Sequence, residues 1–289
     1  MSTGTIPGRT RAAVLHAALD LRVDEVPVTG PAPGEVLVAV EAVGVCGSDV
    51  HYFTDGRNGR NVLRGPMVLG HEAAGVVAAL GPGVTGPAVG TRVAVEPAVG
   101  CGDCPTCRSG AYHLCPSGTC FGSPPTDGAM SGYRAVPARA VHPLPDTLTT
   151  ELGALVEPLA VAVHAVRRAG VSTGHRVLVT GAGPIGVLVA QVARAAGAEQ
   201  VVVTDVHDAR LDRAAGLGAT GTVNTARDEL GEATFDRLLE CSAVPAALWQ
   251  GMHALGPAGR ATVVGQAPDA LRAPGADPHH LKVVVRPGD

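Results

Sequence analysis

The segment "HRVLVTGAGPIG", residues 175–186, runs from an apolar stretch through a glycine-rich turn into a helix-forming stretch. Its glycines follow the pattern Gly181-x-Gly183-x-x-Gly186. A strand before this pattern and a helix after it are typical of a dinucleotide-binding turn, in which the backbone approaches a pyrophosphate at the helix N-terminus. Pro184 suits the first helical turn because its missing N–H is not needed there.

The next apolar run, "QVVVTD", ends at Asp205. A carboxylate at this position accepts hydrogen bonds from the adenosine ribose and repels a 2′-phosphate, so the pattern favours NAD over NADP. Arg210 is a further predicted cofactor-binding residue; it lies nearby in the sequence and slightly weakens that preference. Pro184 and Ile185 lie between Gly183 and Gly186. These two residues and the three glycines are predicted to contact the cofactor. The alternative is an ordinary glycine turn followed by a helix-capping aspartate.

Outward from this turn, the chain after about Leu155 alternates between strand and helix patterns. The strand candidates are "HRVLVTG", "QVVVTD", "FDRLLECS" and "GRATVVG", and helices are predicted over "PIGVLVAQVARAAG", "DARLDRAAGLG" and "PAALWQGMHALG". Such alternation is typical of a doubly wound parallel sheet. In the first of these helices, one apolar face is predicted to consist of Ile185, Val189, Val192 and Ala196.

The preceding part, from Thr10 to about Pro145, has a different pattern. Short β-type runs such as "EVLVAVEAVGV", "EAAGVVAAL" and "TRVAVEPAV" are interrupted by Gly-Pro and Pro-Gly pairs. This pattern predicts a mostly β barrel or sandwich. The boundary between the two parts is predicted near residues 150–157.

Composition excludes some classes of partner. The 289 residues carry a formal net charge of −4 and no block of Lys and Arg, which argues against nucleic acid or an anionic membrane as the main partner. The sequence contains neither a signal-peptide pattern nor a run of apolar residues long enough to span a membrane. These features predict a soluble, cytoplasmic protein. The odd number of cysteines, seven, argues against a disulfide framework and favours metal binding for any cluster.

One such cluster is the segment "CGDCPTCRSGAYHLC", residues 101–115. Its cysteines are Cys101, Cys104, Cys107 and Cys115. Four thiolates saturate tetrahedral Zn²⁺ and leave no position for a substrate, so the cluster predicts a structural zinc site. An iron–sulfur cluster is the main alternative, although ferredoxin patterns have three residues before the last cysteine rather than seven. Unliganded thiols are the third possibility.

A reactive metal needs an open coordination position, which three protein ligands leave. The candidates are Cys46 in "VGVCGSDVHYF", His71 and Glu72 in "MVLGHEAAGVV", and Glu157 in "ALVEPLAVAVHAV". Glu157 precedes a helix that starts with proline, and the helix dipole is expected to keep its carboxylate ionised. From the residues alone, ordinary roles stay open: a small buried cysteine, a turn histidine and a helix-capping glutamate.

The segments "CGSDVHYFTDGR", "GPMVLGHEAAG", "EPLAVAVHA" and "VLVTGAGPIG" resemble the zinc-containing medium-chain dehydrogenases, and within them the sorbitol and xylitol dehydrogenases. The resemblance covers about residues 10–267. It implies a GroES-like catalytic domain over 1–155, an incomplete Rossmann NAD-binding domain over 156–267 and a divergent tail over 268–289. It also implies that a polyol of the sorbitol, xylitol or L-iditol type is oxidised to a ketose with hydride transfer to NAD.

The resemblance assigns roles to individual residues. Cys46 and His71 would bind the catalytic zinc, and Glu72 would be a ligand or an exchangeable near-ligand. Glu157 would contact the metal, directly or through water, and also the substrate. Asp49 is predicted to orient the imidazole of His71.

Three further residues of the same segment have predicted roles close to the substrate. Ser48 and His51 are predicted to relay the proton that the alcohol loses, and Tyr52 is predicted to touch the substrate. Ser48 as a turn residue and His51 as a surface residue are the alternatives.

The sequence departs from the family after "GRATVVG". Family members continue into a sixth sheet strand that commonly pairs subunits, and then return to the catalytic domain. Here the tail "QAPDALRAPGADPHHLKVVVRPGD" follows, and we expect a truncation or frameshift that exposes a sheet edge and puts activity in doubt. The family implies a homo-oligomer, although its pairing strand is missing here. The alternatives to polyol oxidation are another secondary alcohol, such as threonine or butanediol, and an inactive zinc-binding fragment.

Overall fold

The computed structural model describes residues 5–231 and 234–265. The chain divides into two compact units, the first ending at Glu157 and the second beginning at Pro158. The tail predicted to diverge, 268–289, lies outside the described residues. Within the described part, no helix combines the length and the apolar character needed to cross a membrane.

The first unit consists mainly of short strands. They are β1 (Arg9–Ala17), β2 (Asp20–Pro27), β3 (Glu35–Gly44), β4 (Arg57–Asn58), β5 (Asn61–Val62), β6 (Met67–Val68), β7 (Glu72–Leu80), β8 (Arg92–Val95), β9 (Ala98–Val99), β10 (Thr119–Cys120), β11 (Tyr133–Pro137) and β12 (Val141–Pro143). Its helices are α1 (Gly47–Asp55), α2 (Pro105–Arg108) and α3 (Thr150–Ala154), with 3-10 turns at Tyr112–Leu114 and Ala138–Ala140. Helix α4 (Val156–Ala169) begins at the end of this unit.

The strands of the first unit pair in antiparallel fashion. The larger sheet has the order β11-β3-β7-β8-β12, and a smaller one has the order β2-β1-β6. Alternate residues of the larger sheet, Val36 and Val38 on β3 and Val93 and Val95 on β8, enter one buried cluster. Small β-branched side chains thus fill a core that almost lacks aromatic residues. The GroES-like fold class predicted from the sequence is confirmed.

The pairing of β3 with β7 positions the first candidate site. Gly44, the last residue of β3, is the register partner of Glu72, the first residue of β7. Helix α1 starts three residues after Gly44. This pairing therefore brings Cys46, just before α1, next to His71 and Glu72, which lie more than twenty positions later in the sequence.

The second unit alternates strands and helices. In chain order they are β13 (Arg176–Thr180), α5 (Pro184–Ala195), β14 (Gln200–Asp205), α6 (Asp208–Gly216), β15 (Gly221–Asn224), β16 (Phe235–Glu240), α7 (Pro245–His253) and β17 (Leu255–Val263). The strands are parallel and lie in the order β15-β14-β13-β16-β17. This is the 3-2-1-4-5 arrangement of a Rossmann sheet, so the predicted doubly wound fold is confirmed.

Two details differ from the sequence predictions. The fully buried face of α5 comprises Gly186, Val189, Ala190 and Ala193, whereas the other residues predicted for that face are only partly buried. The buried positions follow the spacing i, i+3, i+4 and i+7 from Gly186, so the buried face is rotated slightly from the predicted one and the predicted residues other than Val189 lie at its edge. Strand β15 was not predicted, since its sequence "GTVN" contains a single large apolar residue.

Candidate active site

Three side chains from two separate segments meet in the first unit. One donor atom each from Cys46, His71 and Glu72 forms a set in which all atoms lie within 4.8 Å of one another. Glu72 is buried, and the other two are partly buried. A sulfur, a nitrogen and an oxygen donor form a mixed set that suits Zn²⁺ and leaves a fourth tetrahedral position open.

Glu72 reaches this set because Gly44 has no side chain. A Cβ atom on Gly44 would overlap Glu72 Oε2 and would also lie 3.0 Å from its Cβ. Gly122 has a similar role next to His71, since a Cβ there would lie 2.7 Å from the carbonyl oxygen of Gly70 and 3.1 Å from the Cβ of His71. Two glycines thus allow the chain to close around His71 and Glu72.

Asp49 connects the two segments that supply the donors. It is 3% exposed, and its carboxylate accepts the backbone N–H of Cys46 at 2.9 Å and that of Gly70 at 3.2 Å. From the sequence, Asp49 is predicted to act on the imidazole of His71 directly. In the structure Asp49 Oδ1 and His71 Nδ1 are 3.8 Å apart, beyond hydrogen-bonding distance. Asp49 therefore positions the ligands mainly through the backbone.

The electrostatics of the set favour a cation. Burial alone would lower the pKa of His71, but its hydrogen bond to Cys46 and the charge of Asp49 outweigh burial and raise the pKa to about 9. Burial raises the pKa of Glu72, and the charge of His71 only partly offsets this effect. His71 Nδ1, which lies 3.8 Å from Asp49 Oδ1, has no hydrogen-bond partner among the described residues. Sulfur, imidazole and carboxylate are donors that zinc accepts, and a metal ion would offset the negative charge gathered around His71, so the residues fit a catalytic zinc.

Glu157 lies beside the set but does not belong to it. It interacts electrostatically with His71 and Glu72, yet it is not among the donors that share the 4.8 Å limit. It lies in the first turn of α4 rather than before the helix. Burial raises the pKa of Glu157, and the charge of His71 opposes this effect; the ionised carboxylate expected from the helix dipole stays a prediction.

The structure places the three other candidates of α1 in different environments. Ser48 is partly buried in the first turn of the helix. The side chain of His51 is 60% exposed and lies 3.4 Å from Asp55. Tyr52 is fully buried, with its hydroxyl 3.2 Å from Ser123 Oγ, so it presents no surface of its own to a ligand.

Sequence reasoning missed Cys120. This partly buried thiol interacts electrostatically with Glu157 and Cys46 and hydrogen-bonds to Ser123. Burial is the main reason that its pKa rises to about 11, which keeps it a neutral thiol beside the donor set. The available signal was the cysteine count, because Cys120 belongs neither to the four-cysteine segment nor to the first donor set.

The second donor set comprises the four cysteines of the segment 101–115. The sulfurs of Cys101 and Cys107 are 3.9 Å apart, and those of Cys104 and Cys115 are 3.8 Å apart. Four sulfurs at zinc-binding distance from one ion are separated by about 3.8 Å, so this set fits zinc. The backbone N–H of Cys101 donates to Cys115 Sγ and is the main cause that lowers the pKa of Cys115 to about 7.

In the second unit, the glycine turn has the shape that the sequence predicts. Gly181 adopts φ +92°, and a Cβ there would lie 2.9 Å from the backbone of Ser242. A Cβ on Gly186 would overlap the carbonyl oxygen of Gly181, whereas one on Gly183 would meet no atom within 4 Å. Gly183 is the N-cap of α5, and Pro184 follows at its first position. The turn thus has one open side at a helix N-terminus, as a pyrophosphate requires.

Asp205 is placed at the end of β14, beside this turn. Its carboxylate accepts backbone N–H groups of Ala182 at 2.9 Å, Val206 at 2.8 Å and His207 at 3.0 Å. Arg210 lies 3.6 Å from Asp205 Oδ2. Asp205 therefore fixes the glycine turn through Ala182, a contact that the sequence pattern does not predict. Ile185, at the second position of α5, is partly buried.

Comparison with known proteins agrees with both units. The alcohol dehydrogenase GroES-like domain matches residues 32–146, and the zinc-binding dehydrogenase domain matches residues 184–284. Sorbitol dehydrogenase of Bacillus subtilis is 40% identical over 271 residues, which cover 91% of this chain and 77% of that protein.

Solved structures show the same relationship. A zinc-binding dehydrogenase of Sinorhizobium meliloti bound to NADP superposes with a TM-score of 0.84 at 30% identity, over 97% of this chain and 81% of that one. An alcohol dehydrogenase of Escherichia coli CFT073 complexed with NADH superposes with a TM-score of 0.81 at 31% identity, over 89% of this chain and 76% of that one. This chain therefore belongs to the zinc-containing medium-chain dehydrogenases, the family in which sorbitol dehydrogenase is found.

Proposed function

We propose that this protein oxidises a secondary alcohol of an acyclic polyol, of the sorbitol, xylitol or L-iditol type, to a ketose and transfers the hydride to NAD. The observation that carries the proposal is the mixed donor set of Cys46, His71 and Glu72, with Glu157 beside it. The identity to the Bacillus sorbitol dehydrogenase supports the substrate class.

In this proposal Cys46, His71 and Glu72 hold a catalytic zinc. When bound, zinc supplies a Lewis acid that lowers the pKa of the substrate hydroxyl. Glu157 accepts a hydrogen bond from a neighbouring hydroxyl of the polyol and orients it. Asp49 keeps the backbones of Cys46 and Gly70 in place. The cysteines of 101–115 hold a second zinc with a structural role.

The substrate hydroxyl loses a proton and its carbon loses a hydride, so the site needs a path for each. Ser48, partly buried in the first turn of α1, receives the proton, and the exposed His51 passes it to solvent. The hydride goes to the nicotinamide of NAD. Gly183 faces the open side of the nucleotide turn, and the carboxylate of Asp205 disfavours a 2′-phosphate.

The experiment is a steady-state assay of NADH formation with zinc-loaded protein. Sorbitol, xylitol and L-iditol are compared with threonine, butanediol and ethanol, and NAD is compared with NADP. We expect the highest kcat/KM with a polyol and NAD. Glu157→Gln should lower kcat/KM for polyols about 10- to 100-fold, whereas the matched change Glu151→Gln, at an exposed position of α3, should not. A preference for ethanol or for NADP would contradict the proposal.

A further inference from the structure

The first unit contains a surface pocket of about 550 Å³ that the mechanism above does not use. Its walls come from segment 60–67 and from Pro124 and Pro125. The volume lies in the range of small-molecule sites. Leu63 and Met67 contribute apolar surface, and Arg60 and Arg64 contribute the only charges among the described residues that line it.

The two arginines are uncompensated. Both are exposed, and neither has a hydrogen bond or ion pair to any residue in the described part of the chain. Arg57 on the neighbouring strand differs, since it donates two hydrogen bonds, of 2.8 and 3.2 Å, to the carbonyl oxygen of Gly59. The pocket thus presents two free guanidinium groups with no carboxylate nearby in its wall. Guanidinium groups bind phosphate and carboxylate oxygens in bidentate fashion.

The pocket is close to the candidate active site. Leu63 and Met67 pack in the same cluster as Tyr52, the buried residue of α1. Pro124 follows Ser123, whose hydroxyl contacts the hydroxyl of Tyr52 and the thiol of Cys120. Met67 precedes His71 by four residues, which span at most about 14 Å even when fully extended. The pocket and the donor set are thus built from adjoining segments of the first unit, joined by the short stretch from Met67 to His71 and by the packing of Tyr52.

We propose that Arg60 and Arg64 bind a terminal anionic group of the substrate, a phosphate monoester or a carboxylate, while its secondary alcohol is oxidised at Cys46, His71 and Glu72. This inference rests on the proposed function and narrows its substrate class to polyol phosphates and sugar acids. A phosphate monoester matches best, because its two negative charges balance two guanidinium groups. Among the described residues that line the pocket, these two side chains are the only charged ones, so they would select the charge of the ligand.

The first test compares sorbitol, sorbitol 6-phosphate and gluconate as substrates of the zinc-loaded protein. We expect kcat/KM to be at least tenfold higher for one of the anionic substrates than for sorbitol. In the double variant Arg60→Gln, Arg64→Gln, the ratio of kcat/KM for that substrate to kcat/KM for sorbitol should fall at least tenfold. The control Arg22→Gln removes an exposed arginine that pairs with Asp20 and should leave the ratio unchanged. Equal kcat/KM values for all three compounds would overturn the inference.

A binding measurement separates this inference from the proposed function. Calorimetric titration of the zinc-loaded protein with sorbitol 6-phosphate, gluconate and inorganic phosphate should show binding of an anionic polyol that the double variant weakens at least tenfold. Arginine-dependent binding without turnover of any alcohol would contradict the proposed function alone. Turnover of sorbitol together with arginine-independent binding would contradict the anionic subsite alone.

Discussion

Glu72 Oε2 lies in the space that a side chain on Gly44 would fill, and these two residues are register partners on β7 and β3. Gly44→Ala should therefore push the carboxylate away from Cys46 and His71. We expect zinc at this set to bind about 10- to 100-fold more weakly, the range seen when the residues that orient metal ligands are changed. Competition with a zinc-binding dye measures the affinity.

Gly30→Ala is the matched control for this change, because a Cβ on Gly30 meets no atom within 4 Å and Gly30 does not need a positive φ. It should bind zinc like the wild type. If Gly44→Ala also binds zinc normally, then Glu72 is not a ligand in the proposed set.

Asp49 gives a second prediction, concerning stability. Asp49→Ala leaves the N–H groups of Cys46 and Gly70 without their acceptor in a buried position. An unsatisfied buried donor costs about 1–3 kcal/mol, so the melting temperature should fall by several degrees. Asp49→Asn keeps one acceptor oxygen, so its melting temperature should lie between that of Asp49→Ala and that of the wild type. A melting temperature of Asp49→Ala equal to that of the wild type would show that these bonds do not stabilise the fold.

The Rossmann turn gives a third prediction, in which two similar substitutions act differently. Gly183→Ala adds a methyl group on the open side of the turn and should leave stability unchanged while weakening NAD binding at least tenfold. Gly186→Ala places its Cβ on the carbonyl oxygen of Gly181, so its main effect should be a lower thermal stability. Thermal unfolding and fluorescence titration with NADH, measured on both variants, separate the two effects. Equal NADH affinity for Gly183→Ala and wild type would contradict a pyrophosphate position at this turn.

Asp205 predicts a pH dependence. Burial opposes its charge, but the N–H groups of Ala182, His207 and Val206 outweigh burial and lower its pKa. Because the folded-state pKa lies below the unfolded value of about 3.9, the charge stabilises the fold fully at neutral pH and this contribution is lost as pH falls through the folded pKa. The difference in free energy of unfolding between wild type and Asp205→Asn should thus be largest near pH 7 and shrink below about pH 4. A pH-independent difference in chemical denaturation would contradict this.

Much of the fold follows from sequence periodicity, and the limits of that prediction are physical. The alternation of strands and helices after Leu155 determines a parallel sheet because each apolar run must be buried. Strand β15 escaped prediction because "GTVN" has no apolar run, and it forms only because β14 offers it a pairing edge. The buried face of α5 begins at Gly186 rather than at Ile185, because a helical period of 3.6 residues fixes the spacing of the buried positions but leaves a rotation by one residue open.

The candidate site was less predictable than the fold. The four cysteines of 101–115 are close in sequence, so their spacing alone indicates a metal site. Cys46 and His71 meet only through the pairing of β3 with β7, which no local pattern reveals, and they were identified by resemblance to a family. Cys120 and the backbone contacts of Asp49 depend on how loops pack around His71, and such contacts between distant residues leave no periodic signal.

Cys46, His71 and Glu72 are proposed to converge on one metal ion. Anomalous diffraction at the zinc absorption edge, from crystals of the zinc-loaded protein, would locate that ion. We expect two peaks, one within the cysteine segment 101–115 and one between Cys46 Sγ, the imidazole of His71 and the carboxylate of Glu72. A single peak within the cysteine segment, with Cys46 and His71 free of metal, would contradict this proposal.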